Sequence, residues 1–416
     1  MPLLPTGRRA VSTHGHTVIP DDRLRDISIV QDGTNYIVGS SISGVYVDVP
    51  EIGALILTWL QSGSGVADCE ARAATLMGQP VDVASFLRQL EDENVLVQPL
   101  ARHRPEKAPR GARAGRLLFG AAGTWAQVGL GLTGAALIIG NPDLRPSPAD
   151  FNVGGSPLVS LLTATVISCL CTVLHEAAHV LAAASEGVRS TLSISRRMYF
   201  VTAQTDLTRL WSLPRRQRYR PLIAGITIDA AITGLLLIIC QAAGPRLGEM
   251  AISWIRMAVV LQLSALTAQS ALFMRTDLYA VLATFSGSRT LWRTKTAVLH
   301  SWLGKPTTED TEVLGQATPK ELSWARRYLA LYIPGLALAG WYLMEVTLPG
   351  VVQILHLAID ELGRPDFSSS TTWAAVASVV LVVLPSGTVL LVAGHEAVTK
   401  VNTFLRTPRS NQTRNG

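Results

Sequence analysis

The sequence predicts a polytopic α-helical membrane protein with a small N-terminal α+β domain. Three observations lead there. Of the 416 residues only 16% are charged and 48% are hydrophobic, whereas an average soluble protein carries roughly 25% charged residues. The mean hydropathy is positive, +0.30. The uncharged residues gather in long runs after about residue 117, while the preceding stretch alternates short apolar segments with polar turns. Together these exclude a disordered chain, a histone-like basic protein and an ordinary soluble two-domain enzyme.

Residues 1–20 read as a disordered tail. No apolar stretch follows Arg8 and Arg9, so no signal peptide is expected. Residues 21–100 read as a soluble domain. Ile27–Val30, Tyr36–Val38 and Val45–Val49 are β-rich runs separated by turn residues. Three helical patterns follow: Ile52–Leu60 after Pro50, Ala67–Met77, and Val83–Val97 with Asp82 as its cap. Three strands and three helices in so short a segment resemble a winged helix. The segment holds 12 acidic and 4 basic residues, a net charge of −8. A nucleic-acid-binding winged helix needs a basic face to neutralise phosphates, so no nucleic acid is expected as a partner.

Residues 101–116 form a basic linker, with Arg102, Arg104, Lys107, Arg110, Arg113 and Arg116 against Glu106. Six apolar runs follow: 117–142, 151–174, 221–245 (broken only by Asp229), 257–274, 328–344 and 371–394. A spanning helix needs about 20 mostly apolar residues, so about six transmembrane helices are expected. Residues 117–285 hold four of them, 286–327 a cytosolic loop, 328–396 the last two, and 397–416 a basic cytosolic tail. The loops 141–155, 244–249 and 349–370 carry one basic residue each, Arg145, Arg246 and Arg364, while loop 185–220 carries eight arginines. By the positive-inside rule both termini are cytosolic. The basic residues then face lipid headgroups of the bilayer. The four cysteines have no framework spacing and read as reduced.

The second apolar run ends in His175-Glu176-Ala177-Ala178-His179. On a helix, positions i and i+4 share a face, so both imidazoles can bind one Zn2+ ion. The metal lowers the pKa of a bound water towards 7, and Glu176 is placed to take its proton. A catalytic zinc needs a third protein ligand and an open position. With the fourth helix running outward-to-inward like the second and ending at Met274-Arg275-Thr276-Asp277, Asp277 reaches the depth of the two histidines. Other readings pair Asp277 with Arg275 or take His395, near the end of the sixth helix, as the ligand. Ionisable residues inside a membrane segment are costly and are functional candidates by default, which favours a site at His175, Glu176 and His179.

An HExxH membrane helix followed by a later helix ending in aspartate resembles the site-2 protease family of intramembrane zinc metalloproteases, over roughly residues 115–285. In that family the aspartate, usually within an LDG-type motif, is the third ligand. Here Thr276 and Leu278 flank it in place of leucine and glycine. The family's AGP segment with a following asparagine is matched by Ala224-Gly225-Ile226-Thr227-Ile228-Asp229. The resemblance implies that Gly225 and Asp229 lie at the substrate, with Asp229 in place of an asparagine thought to position it. A second reading has Asp229 satisfied by a neighbouring helix. Val188–Phe200, rich in β-branched and aromatic residues, is expected as a hairpin near the site or as a surface loop with Arg215–Arg220 on headgroups.

The 21–100 domain resembles the PqqD-like peptide-recognition domain of ribosomal peptide natural-product pathways. The similarity lies in its three-strand start, Gly44-Val45-Tyr46-Val47-Asp48, the helix Glu51–Leu60 and the last helix, 83–97. That resemblance implies a precursor-peptide leader added as a strand around Tyr36–Val49 and packed on the helix 83–97. The expected function is a zinc metalloendopeptidase of a bacterial cell membrane, removing the leader of such a precursor near the cytosolic face. The alternatives are a regulatory intramembrane protease cutting a membrane-bound signalling protein, and a non-catalytic peptide export or immunity protein.

Overall fold

A computed structural model describes residues 23–96 and 109–382, apart from residues 25, 34, 41, 198, 199, 288, 289 and 364. The chain divides into two compact units: Met1–Arg110 with Glu186–Ser190 and Asp206–Tyr219, and Gly111–Ser185 with Thr191–Thr205 and Arg220–Gly416.

In the first unit β1 (Ile27–Asp32), β2 (Asn35–Ser40) and β3 (Tyr46–Val49) form an antiparallel sheet in that order. Strand β2 is paired on both sides, so β1 and β3 are the edges. Helices α1 (Glu51–Gln61), α2 (Val66–Met77) and α3 (Val83–Asp92) follow the predicted pattern. The core joins Val38 of β2 to Ile56, Leu57, Val83, Leu87 and Leu90. Asp82 caps α3 by accepting the amide of Ser85 at 2.7 Å. The helix stops at Asp92 rather than running to Val97. Asn94 takes a left-handed conformation, and the amides of Val95 and Leu96 turn back to the Leu90 carbonyl, so both side chains stay buried. The sheet is joined by Asp206–Tyr219, the far end of the loop after the HExxH helix. There Arg218 is buried rather than on headgroups. It pairs with Asp32 at 3.0 Å, donates to the Leu213 carbonyl and stacks on Trp211. A buried arginine needs such partners.

The second unit is helical: α4 (Ala112–Phe119), α5 (Ala121–Gly140), α6 (Pro157–Ser185), the two-stranded sheet of β4 (Thr191–Arg197) and β5 (Phe200–Asp206), then α7 (Arg215–Ala243), which begins in the first unit, and α8 (Glu249–Gln269). It continues with α9 (Asp277–Ser286), α10 (Leu291–Trp302), α11 (Thr308–Gln316), α12 (Pro319–Tyr342) and α13 (Leu348–Leu362). Among the described residues five helical runs are long and apolar enough to cross a membrane: Ala121–Gly140, Pro157–Ser185, Arg215–Ala243, Glu249–Gln269 and Pro319–Leu362. This fits a helical membrane protein. Of the sixth expected span, Ser370–Val382 is an apolar helix; residues 383–396 lie outside the described residues, as do the tails. Helices α5 and α7 cross at glycines. A Cβ on Gly134 would stand 2.6 Å from the Gly234 Cα, the small-residue contact by which membrane helices approach closely.

Three details differ from the expected pattern. The fourth span starts earlier and ends at Gln269, before Asp277. Thr276 is extended and precedes Asp277, the first residue of α9, where the partial positive charge of a helix N-terminus favours a carboxylate. The expected cytosolic loop 286–327 is largely helical. Thr307 with Asp310 and Thr318 with Glu321 form capping boxes that start α11 and α12, a signal present in the sequence. The expected loop 349–370 begins as helix. The chain passes through a π-helical turn, Leu343–Thr347, and stays helical to Leu362. Pro349 has no N–H to donate to the turn before it, and the π-helical turn Leu343–Thr347 lies directly before it. Gly350 gives room for Phe151, which lies 2.2 Å from where its Cβ would be.

Candidate metal centre

Helix α6 carries His175, Glu176 and His179 close to its C-terminal end. The i, i+4 spacing puts both rings on one face, with centroids 4.9 Å apart. The turn after α8 brings Asp277 to them. Its Oδ2 lies 2.9 Å from His175 Nε2 and 3.2 Å from His179 Nε2, and the two nitrogens are 3.2 Å apart. These three residues form a group able to hold a metal ion. Asp277 does not pair with Arg275, whose guanidinium stacks on Trp292 instead. His395 lies outside the described residues.

The other ring nitrogens decide the chemistry. His179 Nδ1 is 2.7 Å from the Pro221 carbonyl and His175 Nδ1 is 2.7 Å from Asp229 Oδ2. Both partners only accept, so each Nδ1 carries the proton and donates. The two Nε2 atoms and Asp277 Oδ2 converge on one place, where each Nε2 would offer its lone pair to a bound cation. Convergence of two imidazole nitrogens and a carboxylate oxygen suits a metal cation.

Asp229 and Gly225, both on α7, stand against the imidazoles. The Asp229 side chain is 3% exposed and orients His175 in the manner of a carboxylate behind a ligating histidine. Its other oxygen accepts from Gln262 at 3.5 Å. Gly225 is where α7 passes the two rings. A Cβ there would lie 2.4 Å from His175 Nε2 and 2.6 Å from His179 Nε2. Only glycine leaves the rings their positions.

Glu176 faces the hairpin. Its Oε2 accepts from the amide and the hydroxyl of Thr205, each at 2.7 Å, and its carbonyl accepts from the same hydroxyl at 3.2 Å. Thr205, near the end of β5, is buried. Gln269 closes the remaining side, accepting from the Asp277 amide at 3.1 Å and donating to Asp277 Oδ2 at 3.3 Å.

Sequence reasoning missed Thr205, Pro221, Gln262 and Gln269. The glutamines left a signal: they are seven residues apart, two turns on one face, within a segment without charge. Thr205 and Pro221 left none, since both act through positions in space.

Fold and site together define a helical chain, suited to a membrane, that gathers His175, His179 and Asp277 into one possible metal-binding cluster. No family model matches this chain, and no curated protein or solved structure shows significant similarity to it.

Proposed function

We propose that the protein is an intramembrane zinc metallopeptidase that hydrolyses a peptide bond near the cytosolic membrane face. The observation that carries this reading is the convergence of His175 Nε2, His179 Nε2 and Asp277 Oδ2 beside Glu176. His175, His179 and Asp277 would hold a zinc ion, which would supply Lewis acidity towards a water and a carbonyl. Asp229 and the Pro221 carbonyl, each accepting from an Nδ1, hold the imidazoles aimed. Glu176, held by Thr205, takes the proton of the attacking water and delivers it to the leaving amine. The basic residues at the start of α7, Arg215, Arg216 and Arg220, support a cytosolic position for this end of the helices.

The substrate in this reading is a precursor peptide of a ribosomally made natural product, with its leader held by residues 21–100. Two features support a peptide there: the acidic composition of the segment, and β3 standing at a sheet edge, the arrangement to which an extended peptide can add as a strand.

The test uses the full chain purified in detergent, a quenched-fluorescent peptide library and elemental analysis of bound metal. Wild type is expected to carry about one zinc and to cleave. Glu176→Gln is expected to keep the zinc and lose at least about a hundredfold in rate, the usual contribution of general base catalysis. Cleavage undiminished in Glu176→Gln overturns the mechanism.

A further inference from the structure

Beyond the metal centre, the second unit holds a cluster of opposite character. Arg275, in the turn between α8 and α9, has its guanidinium 4.8 Å from the centre of the Trp292 ring. Lys295, one turn further along α10, has its ammonium 3.8 Å from the same ring and 5.1 Å from the Tyr332 ring. Tyr279 packs edge-on against both Trp292 and Tyr328.

Two features of this cluster are unusual. Lys295 is only 5% exposed, although lysine is almost never buried unless it is paired. Among the described residues neither cation has a carboxylate within ion-pair distance, and Lys295 has no hydrogen-bond partner. The charge that does bear on Lys295 is another cation. Burial first, and then Arg275, pull its ammonium below the ordinary lysine range. Aromatic faces attract cations but carry no net charge, so the pair of positive charges remains uncompensated. Arg275 also takes a left-handed backbone, φ 53° and ψ 50°, which L-residues rarely adopt.

The position of the cluster narrows the choice of anion. It follows directly on Gln269, where the membrane-length helix α8 ends. Tryptophan and tyrosine gather at the membrane–water interface, the level of the lipid phosphates. Arg275 is exposed and Trp292 and Tyr332 are half-buried, so the cluster is open on the Arg275 side. Basic pockets between membrane helices bind anionic headgroups, and a guanidinium matches the geometry of a phosphate.

We propose that Arg275 and Lys295, set on Trp292 and Tyr332, bind the phosphate group of an anionic phospholipid. Arg275 supplies hydrogen bonds from the open side and Lys295 a point charge from the buried side. The lipid becomes a fixed component of the wall from which Asp277 projects, two residues away.

The experiment follows thermal unfolding of the full chain in a zwitterionic detergent, titrated with phosphatidylglycerol, phosphatidylcholine or inorganic phosphate. Phosphatidylglycerol is expected to raise the midpoint saturably, and phosphatidylcholine to do so far less. Lys295→Met and Arg275→Gln are each expected to weaken the apparent affinity about tenfold, the value of roughly one charge-assisted hydrogen bond. Lys295→Arg keeps the charge and is expected to keep the response, which separates lost binding from misfolding. A response to inorganic phosphate alone, lost in Lys295→Met, keeps the phosphate site and overturns its lipid source. Equal responses to phosphatidylglycerol in wild type, Lys295→Met and Arg275→Gln overturn the site.

Discussion

Asp277 and Arg275 are two residues apart and serve two clusters of opposite sign. Around Asp277, two imidazole nitrogens and a carboxylate oxygen converge, with their remaining polar atoms engaged by Asp229, Pro221 and Gln269. Around Arg275, two cations share one indole, with no carboxylate beside them among the described residues. The first is acceptor-rich and suits a cation; the second is donor-rich and suits an anion. The left-handed turn at Arg275 separates them, so neighbours in sequence do not neutralise each other in space. In a region of low dielectric each imbalance is costly unless a counter-ion resolves it. The comparison shows that the segment between α8 and α9 keeps its opposite charges apart rather than pairing them.

The largest expected effect on that contrast comes from Gly225→Ala. The new Cβ collides with both imidazoles, so bound zinc and peptide cleavage are expected to fall by about a hundredfold or more, as for an ångström-scale displacement at a reacting centre. The response to phosphatidylglycerol is expected to persist, because Lys295 and Arg275 do not touch Gly225. Zinc content by elemental analysis and the lipid titration on one preparation check both halves. Normal zinc content in Gly225→Ala would show that the rings have room the geometry denies them.

Asp229→Asn tests the contrast more finely. It preserves shape but removes the carboxylate that fixes the His175 tautomer. Zinc affinity, measured by competition with a chelator, is expected to drop about 10- to 100-fold, the usual effect of losing a partner behind a metal ligand. An unchanged affinity would mean that Asp229 is held by His175 rather than the reverse.

The smallest effect is expected from Thr205→Val. The hydroxyl bond to Glu176 is lost while the backbone amide remains. A hydrogen bond to a charged group contributes about 1.5–3 kcal/mol, and one of two donors survives. The cleavage rate is therefore expected to fall about tenfold with zinc content unchanged. A loss of zinc along with the rate would mean that the hairpin supports the metal ligands rather than Glu176.

Much of this arrangement was legible in the amino-acid order, and the reasons differ by region. The N-terminal strands and helices were readable because alternation and 3.6-residue periodicity are local properties, and the Asp82 cap was recognisable by residue type. The end of α3 was not, because Val95 continues the apolar pattern while Asn94 has already turned the chain. The uncharged run stops before Glu345, so the helix beyond it is not expected from the sequence; only the packing of Phe151 shows what Gly350 is for. Arg218 looked like one more headgroup contact, and only the sheet domain shows it paired with Asp32.

By itself the sequence determined the apolar runs and the pairing of His175 with His179 on one helix face. Hydrophobic length and helical periodicity are set by neighbours in the chain. Tertiary structure alone decided that Asp277 opens a new helix beside them and that Asp229 stands behind His175. It alone set Thr205 on Glu176, the missing side chain of Gly225 at the passing rings, and Lys295 and Arg275 on one indole. Each of these joins elements many residues apart, and no local pattern records which distant side chains folding will press together.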